Sequence, residues 1–87
     1  MINKLIENYI NRMNINDVDM FAKENGVILK QEELNIIYET IKQNWQTIIY
    51  GDYTSVFNNV KYKLSPSTYK KAEELFFYFK NKYQKLL

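Results

Sequence analysis

The sequence predicts an all-α protein, a compact single-domain bundle of about five helices with a short second helix and a long C-terminal helix. Apolar residues recur at helical spacing along most of the chain. The only proline, Pro66, follows a serine that can cap a helix, and the two glycines, Gly26 and Gly51, fall where helical patterns end. Because 87 residues have room for one hydrophobic core, we expect a single helical domain over residues 1–87.

The first helix is predicted from an apolar stripe, and the second from capping residues. The stripe consists of Ile2, Leu5, Ile6, Tyr9, Ile10 and Met13. We expect Asn16 to cap the second helix, with Asp17 and Asp19 near its positive end. This helix should end at Gly26 in the left-handed conformation. Its buried face should consist of Val18, Phe21 and Ala22.

An extended linker and a longer third helix should follow. The segment VILK, residues 27–30, is apolar and too short for a helix, so it should turn Val27 or Ile28, together with Leu29, toward the core. The acidic residues Glu32 and Glu33 suit the start of the third helix. Its buried face should consist of Leu34, Ile37 or Tyr38, Ile41, Trp45 and Ile48.

The aromatic stretch NWQTIIYGDYTSVF, residues 44–57, is either a corner between two helices or a ligand pocket. Trp45 continues the spacing of the third helix, Gly51 should end that helix as its C′ residue, and Asp52 or Thr54 should cap the fourth helix. The fourth apolar stripe consists of Tyr53, Val56, Phe57, Val60 and Leu64. The aromatic residues are therefore in phase with two helices, which favours a helix corner with Trp45 buried.

The last helix has the clearest start in the chain. Ser65 can cap it, and Pro66 fits the first helical position, where no backbone N–H is required. A cap at Ser67 would move the start by two residues. We expect this helix to run to about residue 85 with one apolar face, made of Tyr69, Ala72, Leu75, Phe76, Phe79, Tyr83 and Leu86.

The net charge of +2 conceals an asymmetry between the two halves. Residues 1–44 hold five basic and seven acidic side chains, whereas residues 45–87 hold seven lysines and three acidic side chains. A Lys-rich half is typical of proteins that contact nucleic acid or anionic membranes. Because Asn, Ile, Lys and Tyr all have AT-rich codons and dominate this chain, base composition also explains the lysines.

The composition argues against catalysis and cofactor binding. The chain has no His and no Cys, which removes the commonest general base, the commonest nucleophile and most zinc sites. The glutamate pairs at 32–33 and 73–74 are adjacent, so each splays by about 100° on a helix and cannot face one site. A calcium loop starting at Asp17 fails because Phe21 and Ala22 stand where an acid and a glycine are needed. We predict no enzyme activity, no metal and no cofactor.

A helix-turn-helix reading of residues 19–37 also fails. The position six residues after Gly26 should be apolar and is Glu32. The would-be recognition helix has more acidic than basic side chains, which disfavours insertion between phosphates.

Two adjacent aromatic residues break the phase of the last helix. Phe77 and Tyr78 fall outside its apolar arc, among lysines and asparagine. Either a neighbouring helix covers them or they are exposed for a partner, with Lys80 and Lys82 as a polar rim. We predict that at least one is exposed, and that the pair with both lysines forms the candidate partner-contact site.

The ordering VxLKxEExxII, NWQTI…G and LSPSTYKKAxELFxxFKxKY resembles the YqfT-like family of unknown function from low-GC Gram-positive bacteria. The resemblance implies a cytoplasmic bacterial protein and assigns no functional residue. The lack of Cys fits a cytoplasmic location, and no apolar run approaches the roughly 18 residues of a membrane span. The sequence favours a non-catalytic interaction module that binds an unknown protein or itself through the C-terminal helix. The alternative is weak, non-specific nucleic-acid binding by the Lys-rich half.

Overall fold

The computed structural model describes residues 4–52 and 54–85. Five α-helices and one 3₁₀ turn account for most of them, and no strand occurs in these ranges. This confirms the all-α prediction, including the short second helix and the long last one. The elements are α1 (Lys4–Arg12), α2 (Ile15–Glu24), α3 (Gln31–Tyr50), α4 (Thr54–Val60), the 3₁₀ turn (Lys61–Lys63) and α5 (Pro66–Gln84).

The long helix α3 is the centre of the bundle. It contacts each of the other four helices, and its most extensive contact is with α5. The sequence explains this position, because α3 carries apolar residues on more than one side and therefore needs neighbours around it. Its buried residues are Leu34, Ile37, Thr40, Ile41, Trp45, Ile48 and Ile49.

Helix α1 buries a narrower face than the sequence predicted. Ile6 and Ile10 are almost fully buried, but Leu5 and Tyr9 are about half exposed, at 49% and 51%. Periodicity identifies an apolar stripe, but the width of the buried part depends on how many helices pack against it. Ile2, the first residue of the predicted stripe, lies outside the described residues.

Helix α2 begins two residues earlier than predicted, so the prediction of Asn16 as its cap was wrong. Asn14 caps the helix: its side chain accepts a hydrogen bond from the Asp17 backbone N–H at 3.0 Å. The Asp17 carboxylate in turn accepts from the Asn14 backbone N–H at 2.9 Å, which completes a capping box. Asn16 with Asp19 could form the same capping box, but a start at Asn14 places Ile15 in the helix, where it packs half-buried against the core.

The linker after α2 follows the prediction. Gly26 has a φ of +76°, in the left-handed region that favours glycine. The chain then runs without helix to Lys30, with Val27 buried, Leu29 half-buried and Ile28 exposed.

The aromatic stretch is a helix corner, as predicted. Trp45 is 8% exposed and follows Asn44, whose non-helical backbone (φ −128°, ψ 15°) bends α3. The helix ends before Gly51, but Gly51 is extended rather than left-handed, which corrects the predicted C′ conformation. A Cβ at this position would lie 3.1 Å from the Thr47 carbonyl oxygen. Glycine is favoured here because it has no Cβ to crowd that oxygen.

The start of α4 involves Asp52, whose carboxylate accepts a hydrogen bond from the Thr54 backbone N–H at 2.9 Å. This bond lowers the pKa of Asp52. Of the predicted α4 stripe, Val56, Phe57 and Val60 are buried and Leu64 is half-buried. Tyr53, which belongs to the same stripe, lies outside the described residues.

Helix α5 begins as the sequence predicted, at Pro66 with Ser65 as its cap. The Ser65 hydroxyl accepts a hydrogen bond from the Thr68 backbone N–H at 3.2 Å, so Ser67 is not the cap. The helix ends at Gln84, close to the predicted end. Its core-facing residues include Ala72, Leu75, Phe76 and Phe79, whereas Leu86 lies outside the described residues.

Candidate interaction surface on the C-terminal helix

Phe77 and Tyr78 lie on the side of α5 that no other helix covers fully. Phe77 is 49% exposed and Tyr78 is 38% exposed, so the prediction that at least one is exposed is confirmed. Their ring centroids are 5.9 Å apart, with an angle of 64° between the planes. Two large rings held in an edge-to-face arrangement form a small apolar surface, which we call the aromatic pair.

The aromatic pair borders a shallow cleft of about 350 Å³ between α4 and α5. The buried ring of Phe57 and the half-buried ring of Tyr69 line it, with ring centroids 5.4 Å apart. Thr54, Glu73 and Glu74 complete the lining. The cleft therefore has an aromatic interior and an acidic margin.

The acidic margin differs from the predicted rim of lysines. The Lys80 ammonium donates to the Gly51 carbonyl oxygen at 2.9 Å, at the C-terminal end of α3. The Lys82 ammonium lies over the ring of Phe21, 5.3 Å from its centroid, and 5.7 Å from that of Tyr83. Both lysines thus contact other parts of the protein, while Glu73 and Glu74 border the aromatic pair.

Glu73 and Glu74 are available to a partner. Both are exposed, and neither forms an ion pair with any residue that the structure describes. Helical spacing would allow Glu73 to pair with Lys70, and Glu74 to pair with Lys70 or Lys71. Lys71 instead pairs with Glu33 of α3 at 3.3 Å, a choice that the helical spacing of α5 cannot reveal.

Glu33 joins the beginnings of α3 and α5. One carboxylate oxygen accepts from the Lys30 backbone N–H at 2.8 Å and from the Lys71 ammonium, and the other accepts from the Thr68 hydroxyl. The Lys30 bond, then the Thr68 bond, lower the pKa of Glu33 against the opposing effect of burial, and Lys71 adds to the lowering. A carboxylate held ionised by three donors is poorly suited to accept a proton in catalysis. We interpret Glu33 as a structural link.

A second aromatic surface lies where α1, α2 and α5 meet. The cleft there measures about 330 Å³ and includes the Phe79–Tyr83 contact, with centroids 4.8 Å apart, and the Tyr9–Tyr83 contact, at 6.5 Å. Burial, followed by the proximity of Tyr9 and Asp17, raises the pKa of Tyr83. Sequence reasoning missed this cleft because its lining combines residues from four helices, α1, α2, α3 and α5. The sequence pattern assigned Tyr9 to the buried stripe of α1 and contained no local signal for the cleft.

None of the described helices is both long and apolar enough to cross a membrane. Comparison of the chain with protein-family models, curated proteins and solved structures found no match in any of the three. The resemblance to the YqfT-like family therefore stays a prediction.

Proposed function

We propose that this protein is a non-catalytic interaction module that binds a partner protein through the aromatic pair on α5. The observation that carries the proposal is the exposure of Phe77 and Tyr78 beside a cleft between α4 and α5. Aromatic residues are enriched among the few side chains that dominate binding energy at protein interfaces. We also propose the cytoplasm as its location, on the basis of the Cys-free sequence.

The charges around the aromatic pair support a partner with a basic contact surface. Glu73 and Glu74 are the charged residues that line the cleft beside the aromatic pair, in a chain whose net charge is +2. An interface with complementary charge would place Lys or Arg of the partner near these carboxylates and an apolar side chain over the rings. A second copy of this chain could also supply lysines, so self-association is a special case of the same proposal.

The experiment uses the purified full chain as bait for proteins in a bacterial lysate, together with sedimentation at rising concentration to detect self-association. Phe77→Ser and Tyr78→Ser should each weaken the association that the wild type shows. Tyr62→Ser is the matched control, since it removes an exposed ring from another surface. The thermal midpoint of each variant should stay within a few degrees of wild type, because exposed substitutions usually change stability by about 0.5 kcal/mol or less.

The proposal fails if Phe77→Ser and Tyr78→Ser associate as the wild type does, or if they unfold while Tyr62→Ser does not. Glu73→Gln combined with Glu74→Gln tests the charge of the partner separately. This double variant should weaken association less than the loss of a ring and should make association less sensitive to salt.

The alternative function is weak, non-specific nucleic-acid binding by the Lys-rich half. Helix α5 offers less free positive charge than its sequence suggested, because the Lys71 ammonium is paired with Glu33. Lys80 and Lys82 keep their charge but are held against a backbone carbonyl and an aromatic ring. The observation that favours this alternative lies instead in the turn before α5, where Lys61, Tyr62 and Lys63 are all exposed.

A further inference from the structure

The 3₁₀ turn between α4 and α5 presents a tyrosine between two lysines. Tyr62 is 86% exposed, more than any other large hydrophobic residue in the described parts of the chain. Lys61 and Lys63 are also exposed. The Lys61 ammonium lies 5.4 Å from the centroid of the Tyr62 ring, so cation and ring occupy the same small region.

The fold holds this turn in place but does not use its side chains in the core. No residue of the turn is buried. The residues on either side are anchored: Val60 is buried, and Leu64 packs half-buried against the core. Ser65 and Pro66 then begin α5 immediately after it. The Tyr62 ring is therefore presented to solvent from a segment that is fixed at both ends.

A cleft suited to a flat ring lies beside Tyr62. It measures about 390 Å³ and is lined by Lys61, Tyr62, Leu64, Pro66 and Tyr69, with no carboxylate in its lining. Aromatic and proline rings are surfaces on which a planar ligand can stack.

The charge next to this cleft is predominantly positive. Lys63 lines a neighbouring cleft together with Lys30 and Lys71, and Glu32 and Glu33 also line that cleft. Glu33 is already bound by Lys71 and Thr68. With the Lys71–Glu33 pair set aside, Lys30 and Lys63 remain against Glu32, which has no ion pair among the described residues.

We propose that the turn and its cleft form a binding site for single-stranded nucleic acid. An unpaired base would stack on Tyr62 at the cleft, and the flanking phosphates would contact Lys61 and Lys63. A duplex fits less well, because its bases are already stacked on one another. The site would be the part of the Lys-rich half that performs the alternative function of nucleic-acid binding. It does not depend on the protein contact proposed for the aromatic pair on α5.

An anionic membrane also attracts lysine and tyrosine, but the shape of the site favours nucleic acid. Helices that bind a membrane surface lay a continuous apolar face along it. Here the exposed ring of Tyr62 lies on a three-residue turn beside an open, shallow cleft, with no helix face for a membrane to contact. Lipid binding is therefore an outcome that the test must be able to detect.

The test measures fluorescence anisotropy of a fluorescein-labelled oligothymidine titrated with the full chain at rising salt. Wild type should bind with a dissociation constant on the order of 10⁻⁴ to 10⁻⁶ M near physiological salt, and log K should fall linearly with log salt. Tyr62→Ser should weaken binding about tenfold, while Tyr62→Phe, which keeps the ring, should bind as wild type. Lys61→Gln with Lys63→Gln should reduce the salt slope by about 1.4, or about 0.7 for each lost phosphate contact.

Ile28→Ser, which changes an exposed apolar side chain on another surface, is the control and should bind oligothymidine as wild type does. No binding by wild type, or equal binding by wild type and Tyr62→Ser, would overturn the inference. Tyr62-dependent binding to phosphatidylserine vesicles without binding to oligothymidine would also overturn it, in favour of a membrane contact. All of these measurements leave the association test of Phe77 and Tyr78 unaffected, so the two proposals can fail separately.

Discussion

Trp45 is a large buried side chain near the corner between α3 and α4. It is 8% exposed, it directly follows the bend at Asn44, and its ring lies 6.3 Å from that of Tyr50. We predict that Trp45→Ala lowers the free energy of unfolding by about 3–5 kcal/mol, because it leaves a large cavity. Domains of this kind are stable by only about 5–15 kcal/mol in total. Urea denaturation followed by circular dichroism measures the loss.

Gln46→Ala is the control for this prediction, since Gln46 is the exposed neighbour of Trp45. It should change the free energy of unfolding by less than about 0.5 kcal/mol. Native wild-type protein should also emit at a shorter wavelength than free indole in water. Emission at the wavelength of free indole would show that Trp45 is in contact with water.

Individual residues show what a sequence can and cannot predict. The burial of Trp45 follows from helical spacing, and the cap at Ser65 follows from the proline after it. Asn14 was missed because Asn14 and Asn16 are equally good caps by residue type, and only the packing of Ile15 against the core distinguishes them. The engagement of Lys71 by Glu33 was missed because these residues are distant in sequence. The acidic margin of the candidate site was missed because the sequence does not show that Glu73 and Glu74 line the cleft between α4 and α5.

The helices α3 and α5 are joined at their N-terminal ends by Glu33, and this link should depend on pH. The pKa of Glu33 is lowered below its ordinary value of 4.5 by hydrogen bonds from Lys30 and Thr68 and by Lys71. An acid whose pKa is lowered on folding stabilises the folded state above its unfolded pKa. This contribution is lost as the pH falls from about 4.5 through the lower pKa of the folded protein.

We therefore predict that Glu33→Gln is less stable than wild type at pH 7, by about 1–3 kcal/mol, because it weakens charge-assisted hydrogen bonds. The difference should shrink as the pH falls below about 4.5, where wild type also becomes neutral at this position. Thermal denaturation of both proteins between pH 7 and pH 3 measures this. Glu32→Gln, at the exposed neighbouring position, is the control, and its stability relative to wild type should show no comparable change with pH. A stability difference between Glu33→Gln and wild type that stays constant from pH 7 to pH 3 would contradict the role of the ionised Glu33 in joining α3 and α5.

At the scale of the whole molecule, contacts with α3 connect every other helix, and the smallest of these contacts is with α1. In α1, Leu5 and Tyr9 are half exposed and only Ile6 and Ile10 are buried. These two isoleucines are 0% and 1% exposed, so detaching α1 would open the core. We expect α1 to unfold together with the rest of the domain.

Ile6→Ala tests this cooperativity. If the domain unfolds as one unit, Ile6→Ala should lower the free energy of unfolding by about 2–5 kcal/mol. Its thermal midpoint should then fall by the same number of degrees in two signals. One signal is the circular dichroism of all the helices, and the other is the fluorescence of Trp45, which belongs to α3 rather than α1. Leu5→Ala, which removes a half-exposed side chain of the same size, should lower both midpoints less. A loss of circular dichroism at lower temperature, with an unchanged fluorescence midpoint, would mean instead that α1 unfolds by itself. Part of the core face of α3 could then be uncovered while the aromatic pair and the Tyr62 turn remain folded.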